Sequence, residues 1–232
     1  MSLKYLCTAA LSVAVLSVAN PASASLSLSL DDTAGTSFIV LDNLTGDSNP
    51  LLGEITFING INPAGFNIPG FASLLISSLS NAPGTSAGAN LNTTQIDVTT
   101  STAKSLNVDV VDDGFSLPGA AGDLLNVTNF LSGTGLGTAS ISQTTELDGA
   151  ATPVALITLG PGAVDITSAN LTRVGATFTL ATLISGVFGT GTSVSLTHDS
   201  LAVIPEPITM AIWAGLIGIG AVGIYRRSLK GL

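Results

Sequence analysis

The 232-residue chain carries 15 acidic residues against 6 basic ones, and only 9% of it is charged although 46% is apolar. An ordinary soluble domain is roughly 25% charged, so the chain is either embedded in membrane or has a soluble surface of Ser, Thr, Asn and Gly. Long apolar runs occur only at the two ends, which favours the second reading for the middle. Between residues 25 and 204 the basic residues reduce to Lys104 and Arg173 against fourteen acidic ones, a net charge near −12. A surface that anionic repels phosphate backbones and argues against nucleic acid as a partner.

The chain starts with a single cation, Lys4, then an apolar stretch from Ala9 to Val18, then Asn20-Pro21-Ala22-Ser23-Ala24. This order is that of a secretory signal peptide, with Ala22 and Ala24 marking cleavage after residue 24. The apolar stretch is about ten residues, too short to cross ~30 Å of hydrocarbon. Cys7 is the only cysteine and lies inside this segment, so the mature chain has nothing with which to form a disulfide.

From residue 25 the pattern has period two. Leu26 to Leu30, Ser37 to Leu41, Glu54 to Ile58, Gln95 to Val98 and Leu106 to Val110 read as strands. So do Thr138 to Ser142, Val154 to Leu159, Ala163 to Thr167, Thr177 to Leu180, Ser193 to Thr197 and Leu201 to Ile204. Turn signals stand at 112–114, 117–119 and 160–162. Many short strands with Gly and Pro turns predict an all-β domain, an antiparallel β-sandwich or jelly roll. Two places dissent. Phe71, Leu74, Leu75 and Leu79 fall at helical spacing after Pro69-Gly70, and the run Leu124, Leu125, Val127, Phe130, Leu131 is ambiguous. One or two short helices capping the sandwich are expected there. Residues 135–142 echo residues 189–196, each a glycine turn feeding a strand, which such grammar yields by chance.

Candidate chemistry is sparse. Gly84-Thr85-Ser86-Ala87-Gly88 has the nucleophile-elbow pattern, with Asp165 and His198 available as partners for Ser86. An elbow needs a strand before and a helix after, whereas Pro83 precedes this one and 89–94 has no helical period, so a plain loop is the better reading. His198 is the only histidine, and metal sites built on histidine need two or three. The chain is therefore expected to be non-enzymatic and without a cofactor, save weak calcium. Asp109, Asp112 and Asp113 cluster where a strand is expected to end at Gly114, and extracellular calcium sites use such carboxylates. The alternative is solvated turn aspartates, and the same holds for Asp31 and Asp32. The mature domain has eight Phe but no Trp or Tyr, which disfavours sugar stacking while leaving hydrogen-bonded glycan recognition open.

The C-terminus is the most specific part. Residues 208 to 225 contain no charge, and eighteen helical residues make about 27 Å, enough to span a bilayer. Arg226, Arg227 and Lys230 follow and hold that end in the cytoplasm. The preceding Pro205-Glu206-Pro207 forms an extended tripeptide, since neither proline can join a ladder. This tripeptide, the Gly-rich span and the basic tail resemble, in that order, the PEP-CTERM sorting signal. The resemblance covers about 203 to 232 and implies recognition and processing by an exosortase, a membrane transpeptidase, with delivery to the cell surface or an exopolysaccharide matrix.

The sequence thus divides into a signal peptide (1–24), a β-rich exported domain (25–203) and a sorting signal (204–232). The sorting signal comprises the tripeptide 205–207, a transmembrane helix 208–225 and a basic tail 226–232. A structural or interaction protein of the surface or matrix is the expected function. A glycan- or calcium-dependent binding module is the alternative, and a serine hydrolase a remote one.

Overall fold

The computed structural model describes residues 26–85, 88–158 and 162–205. The segment read as a signal peptide, with Ala22 and Ala24, the residues from Glu206 onward, and Ser86 lie outside the described residues. All secondary structure described is β. The strands are β1 Ser27–Asp31, β2 Ser37–Leu41, β3 Glu54–Ile58, β4 Phe71–Ser80, β5 Ala89–Thr100, β6 Lys104–Ser116 and β7 Leu124–Leu136. They continue with β8 Ala139–Leu147, β9 Ala150–Ala151, β10 Ala155–Thr158, β11 Ala163–Thr172, β12 Thr177–Phe188 and β13 Ser193–Val203. One sheet has the order β10-β8-β12-β6-β1-β2 with β9 beside β8, and the other β11-β7-β13-β5-β4-β3. Every pairing is antiparallel. The two sheets enclose a single core, as an alternating sequence requires.

The expected capping helices are absent among the described residues. Residues 71–80 form β4, and its helical spacing has a simple cause. The register against β5 slips between Phe71 and Ser73 and again between Ser77 and Ser78. An extra residue at a bulge turns a spacing of two into three, so Phe71 and Leu74 both face the core at helix-like separation while Leu79 is exposed. The 124–131 run is β7, where Leu125, Val127 and Leu131 face in. Asn129 takes an inward position and Phe130 an outward one, which is why the alternation was obscured.

Asp112-Asp113-Gly114 is likewise not a turn. β6 runs through it to Ser116, and the register against β12 shifts at this point. The Gly114 N–H donates to Asp112 Oδ1 (2.9 Å), so the polar triplet serves a bulge. The echoing segments around 137 and 189 are cross-sheet turns that lie side by side: Gly189 N–H donates to the Thr138 carbonyl (2.8 Å), as does the Thr192 hydroxyl (3.0 Å). Gly137 is required there, because its φ is +96° and a Cβ would approach Thr192 to 2.8 Å.

The interior has two characters. Around β1 to β6 it is apolar, with Leu28, Leu30, Val40, Ile55, Phe57, Ile76 and Val108 essentially inaccessible. Between β7, β8, β12 and β13 the apolar core also encloses a polar cluster. The hydroxyls of Thr145, Thr182 and Ser200 lie 2.6 to 3.0 Å from one another. Gln143 Nε2 donates to Ser200 Oγ (3.3 Å), and Asn129 Nδ2 donates to Thr152 Oγ1 (2.6 Å). These groups come from both sheets and are 0–5% exposed, so the network bolts the layers together. The hydroxyls and the Asn129 amide avoid in this way the cost of about 1–3 kcal/mol each that unpaired burial carries, while Gln143 Oε1 has no partner.

Candidate functional site: the outer face of the six-stranded sheet

Along β7, β13 and β5 the residues that do not enter the core form an open polar face. β7 presents Phe130, Ser132 and Thr134, β13 presents Ser193, Ser195, Thr197 and Asp199, and β5 presents Asn92, Thr94, Asp97 and Thr99. The register brings Thr197 opposite Ser132, Ser195 opposite Thr134 and Asp97, and Asp199 opposite Phe130 and Asn92. Two shallow depressions of about 370 and 320 Å³ share Phe130 and Thr197. A third of about 510 Å³ shares Thr134 and Ser195 with the larger of these. Sharing these residues, the three adjoin as a shallow, open groove across the sheet.

Hydrogen bonds across and along the strands fix its side chains. The hydroxyls of Ser132 and Thr197 are 2.7 Å apart, and those of Thr99 and Ser193 are 3.4 Å apart. Asn90 Nδ2 donates to Asp199 Oδ1 (2.6 Å), and Gln95 Nε2 donates to Asp97 Oδ2 (2.5 Å). Burial raises the Asp199 carboxyl above its usual range, opposed by the Asn90 contact. Phe130, 37% exposed, is the groove's one aromatic ring, flanked by Val164 in the same depression. The groove offers hydroxyl, amide and carboxylate groups beside one apolar platform, and no cation.

Cations are also unavailable elsewhere on the described surface. Lys104 pairs with Asp32 (3.7 Å). Arg173 is fully buried and donates to the carbonyls of Leu117, Pro118 and Ala120 and to Asp123 (2.7 to 3.2 Å), clamping the β6–β7 loop.

The sequence-derived sites fare differently. Asp109, Asp112 and Asp113 do not converge. Asp112 is fully buried on the inner face, where its charge is felt by Asp42, whereas Asp109 lies half-buried on the outer face, its carboxyl raised by burial and by Glu146. Among the described residues no three His, Cys, Asp or Glu side chains could hold a metal ion. Strand β6 keeps Asp112 and Asp113 on opposite faces, which a turn would not.

His198 and Asp165 are not partnered either. His198 faces the core, and its Nδ1 accepts the Thr93 N–H (3.0 Å) freed where β5 and β13 lose register. Burial pushes its imidazole down to about 3. Asp165 instead accepts the N–H groups of Leu156 (2.7 Å) and Ile166 (2.9 Å). Sequence reading missed the groove because its members come from strands about 35 to 100 residues apart, and each strand's outward Ser and Thr look like ordinary solvated positions. Phe130 carried the one signal, a large apolar residue out of phase with its strand.

No family model matches the chain, and no curated protein matches it. Among the solved structures that are distantly similar are two of carbohydrate-binding domains. The carbohydrate-binding module TmCBM61, in complex with β-1,4-galactotriose, is 10% identical with a TM-score of 0.31, over 48% of this chain and 70% of that one. The N-terminal cellulose-binding domain of Cellulomonas fimi β-1,4-glucanase C is 11% identical with a TM-score of 0.27, over 68% of this chain and 90% of that one. Likenesses this distant carry no functional argument.

Proposed function

We propose that this is an exported, non-catalytic protein of the cell surface or extracellular matrix, whose groove across β5, β13, β7 and β11 binds the hydroxyl-rich chain of a polysaccharide. The carrying observation is the exposed polar face itself: hydroxyls, amides and two carboxylates aligned by the strand register beside Phe130. Sugar hydroxyls both donate and accept, and a face of mixed donors and acceptors satisfies them. With no free cation on the described surface, the ligand is a neutral glycan rather than a uronate or phosphate polymer. Export and sorting rest on the sequence: the signal peptide, and the PEP-CTERM-like tripeptide, span and basic tail read by an exosortase. Calcium forms no part of this reading, because the aspartates that suggested it are dispersed.

Glycan-array binding of residues 25–204 tests the groove. Retention on neutral polysaccharides, weakened by Phe130→Ala and by Thr197→Val, is the expected result, and silence across the array overturns it. Terminal mass mapping of protein recovered from its host tests sorting, and recovery with both ends intact overturns that half.

A further inference from the structure

Both ends of the sandwich expose large apolar side chains, Ile61 and Leu136 at one and a larger set at the other, where the chain also leaves the domain. The latter end is defined by the start of β1, the end of β13 and the loops 42–53, 117–123 and 173–176. It exposes Leu41, Leu44, Leu51 and Leu52 at the β2–β3 rim, 43–69% accessible, and Leu124 and Val174 at the β7–β11 rim, 53% and 74% accessible. The carboxylates of these loops are tied to the protein's own N–H groups, Asp47 buried, Asp42 and Asp148 half-buried and Asp123 exposed. Asp47 accepts the N–H groups of Asn43, Asn49 and Thr56, and Asp42 accepts that of Gly53. Asp148 accepts those of Val174 and Thr179, and Asp123 takes Ala120 N–H and Arg173. Solvated loops ordinarily do the opposite, sending charge outward. Here the polar groups stiffen the loops and the leucines project.

The same end is where the chain leaves the sandwich, at Val203. Only residues 204–207 separate it from the uncharged run 208–225, and four residues reach at most about 14 Å. We infer that this end is a membrane-resting surface, with Leu44, Leu51 and Leu52 at one rim and Leu124 and Val174 at the other seated in the headgroup region of the bilayer. The inference rests on the reading of 208–225 as a membrane span. Burial of apolar loop side chains at the interface follows the same area rule as elsewhere. The anionic domain selects a zwitterionic surface over an anionic one.

The test uses the exported full chain carrying Cys7→Ser, in phosphatidylcholine vesicles containing nitroxide-bearing lipid. Single labels are attached through Leu52→Cys, Val174→Cys, Ile61→Cys or Leu136→Cys. Lipid quenching should remove most of the fluorescence at 52 and 174 and leave it intact at 61 and 136, on the far end. Equal, weak quenching at all four sites in protein that floats with the vesicles overturns the resting surface while leaving the span in place. So does a label at 52 that is shielded from water yet unquenched, which assigns the surface to a protein partner. Protein that fails to float removes the span, and the inference with it.

Discussion

The two parts of the interior hold the same sheets together by different physics. Around β1 to β6, where Leu28, Val40, Ile55 and Phe57 meet, burial of apolar area supplies most of the stability, with a few polar groups such as Ser78, Thr93 and Asp112 enclosed. Around β7, β8, β12 and β13, the groups enclosed are Asn129, Gln143, Thr145, Thr182 and Ser200. Strand β13 shows why. Its stretch Thr197-His198-Asp199-Ser200 is polar on both faces, so hydrophobicity alone does not say which face turns inward. A slip of one residue would exchange the faces. The hydrogen-bonded network supplies the missing specification, because only one register brings Ser200 to Thr145 and Thr182. The polar half is therefore the part that sets the groove, whose Phe130, Thr197 and Asp199 alternate along the same strands with the inward groups.

Removing mass from the apolar half should cost most. Phe57→Ala is expected to lose about 3–5 kcal/mol, read as a lower urea midpoint with an unchanged slope. In the polar half the loss comes from orphaned partners instead. Ser200→Ala should cost about 1–3 kcal/mol in the same titration. Combining it with Thr145→Val and Thr182→Val should cost clearly less than the three single losses added together, because the hydroxyls then leave as a set. An additive result would mean that the three do not act as one network.

Acid separates the halves as well. Below about pH 6.5 the unfolded chain's histidine takes up a proton that buried His198 refuses until about pH 3. Stability therefore falls as pH falls through that window, by up to roughly 1.4 kcal/mol per pH unit. His198→Asn keeps an acceptor for Thr93 N–H and should flatten the slope between pH 6.5 and 5. An unchanged slope would show that His198 is not the responsible group. The smallest effect on stability is expected from Phe130→Ala, within about 0.5 kcal/mol by thermal melting, although it should weaken glycan retention most.

Much of the fold was legible because alternation marks a half-buried strand. The spans of β2 and β3 coincide with runs read from the sequence, and parts of β1, β5, β6, β8 and β10 to β13 lie within others. What was hidden is local and explicable. Bulges gave β4 a helix-like spacing, the buried Asn129 broke the period of β7, and Asp112-Asp113-Gly114 resembled a turn while serving a bulge. Beyond the out-of-phase Phe130, the groove was not legible, since it exists only once β5, β13 and β7 lie side by side.

Asp165 has a consequence for crowding. β11 is a ten-residue edge strand with Val164 and Ile166 exposed, the kind of border onto which a strand from another molecule can zip. Its carboxylate ties down the Leu156 and Ile166 amides, and the Thr167 hydroxyl engages the Pro153 carbonyl, fastening β11 to the neighbouring β10 segment. A second copy approaching that border meets a negative charge and amides already engaged. Densely packed copies can therefore crowd together without stitching themselves into fibrils along this edge.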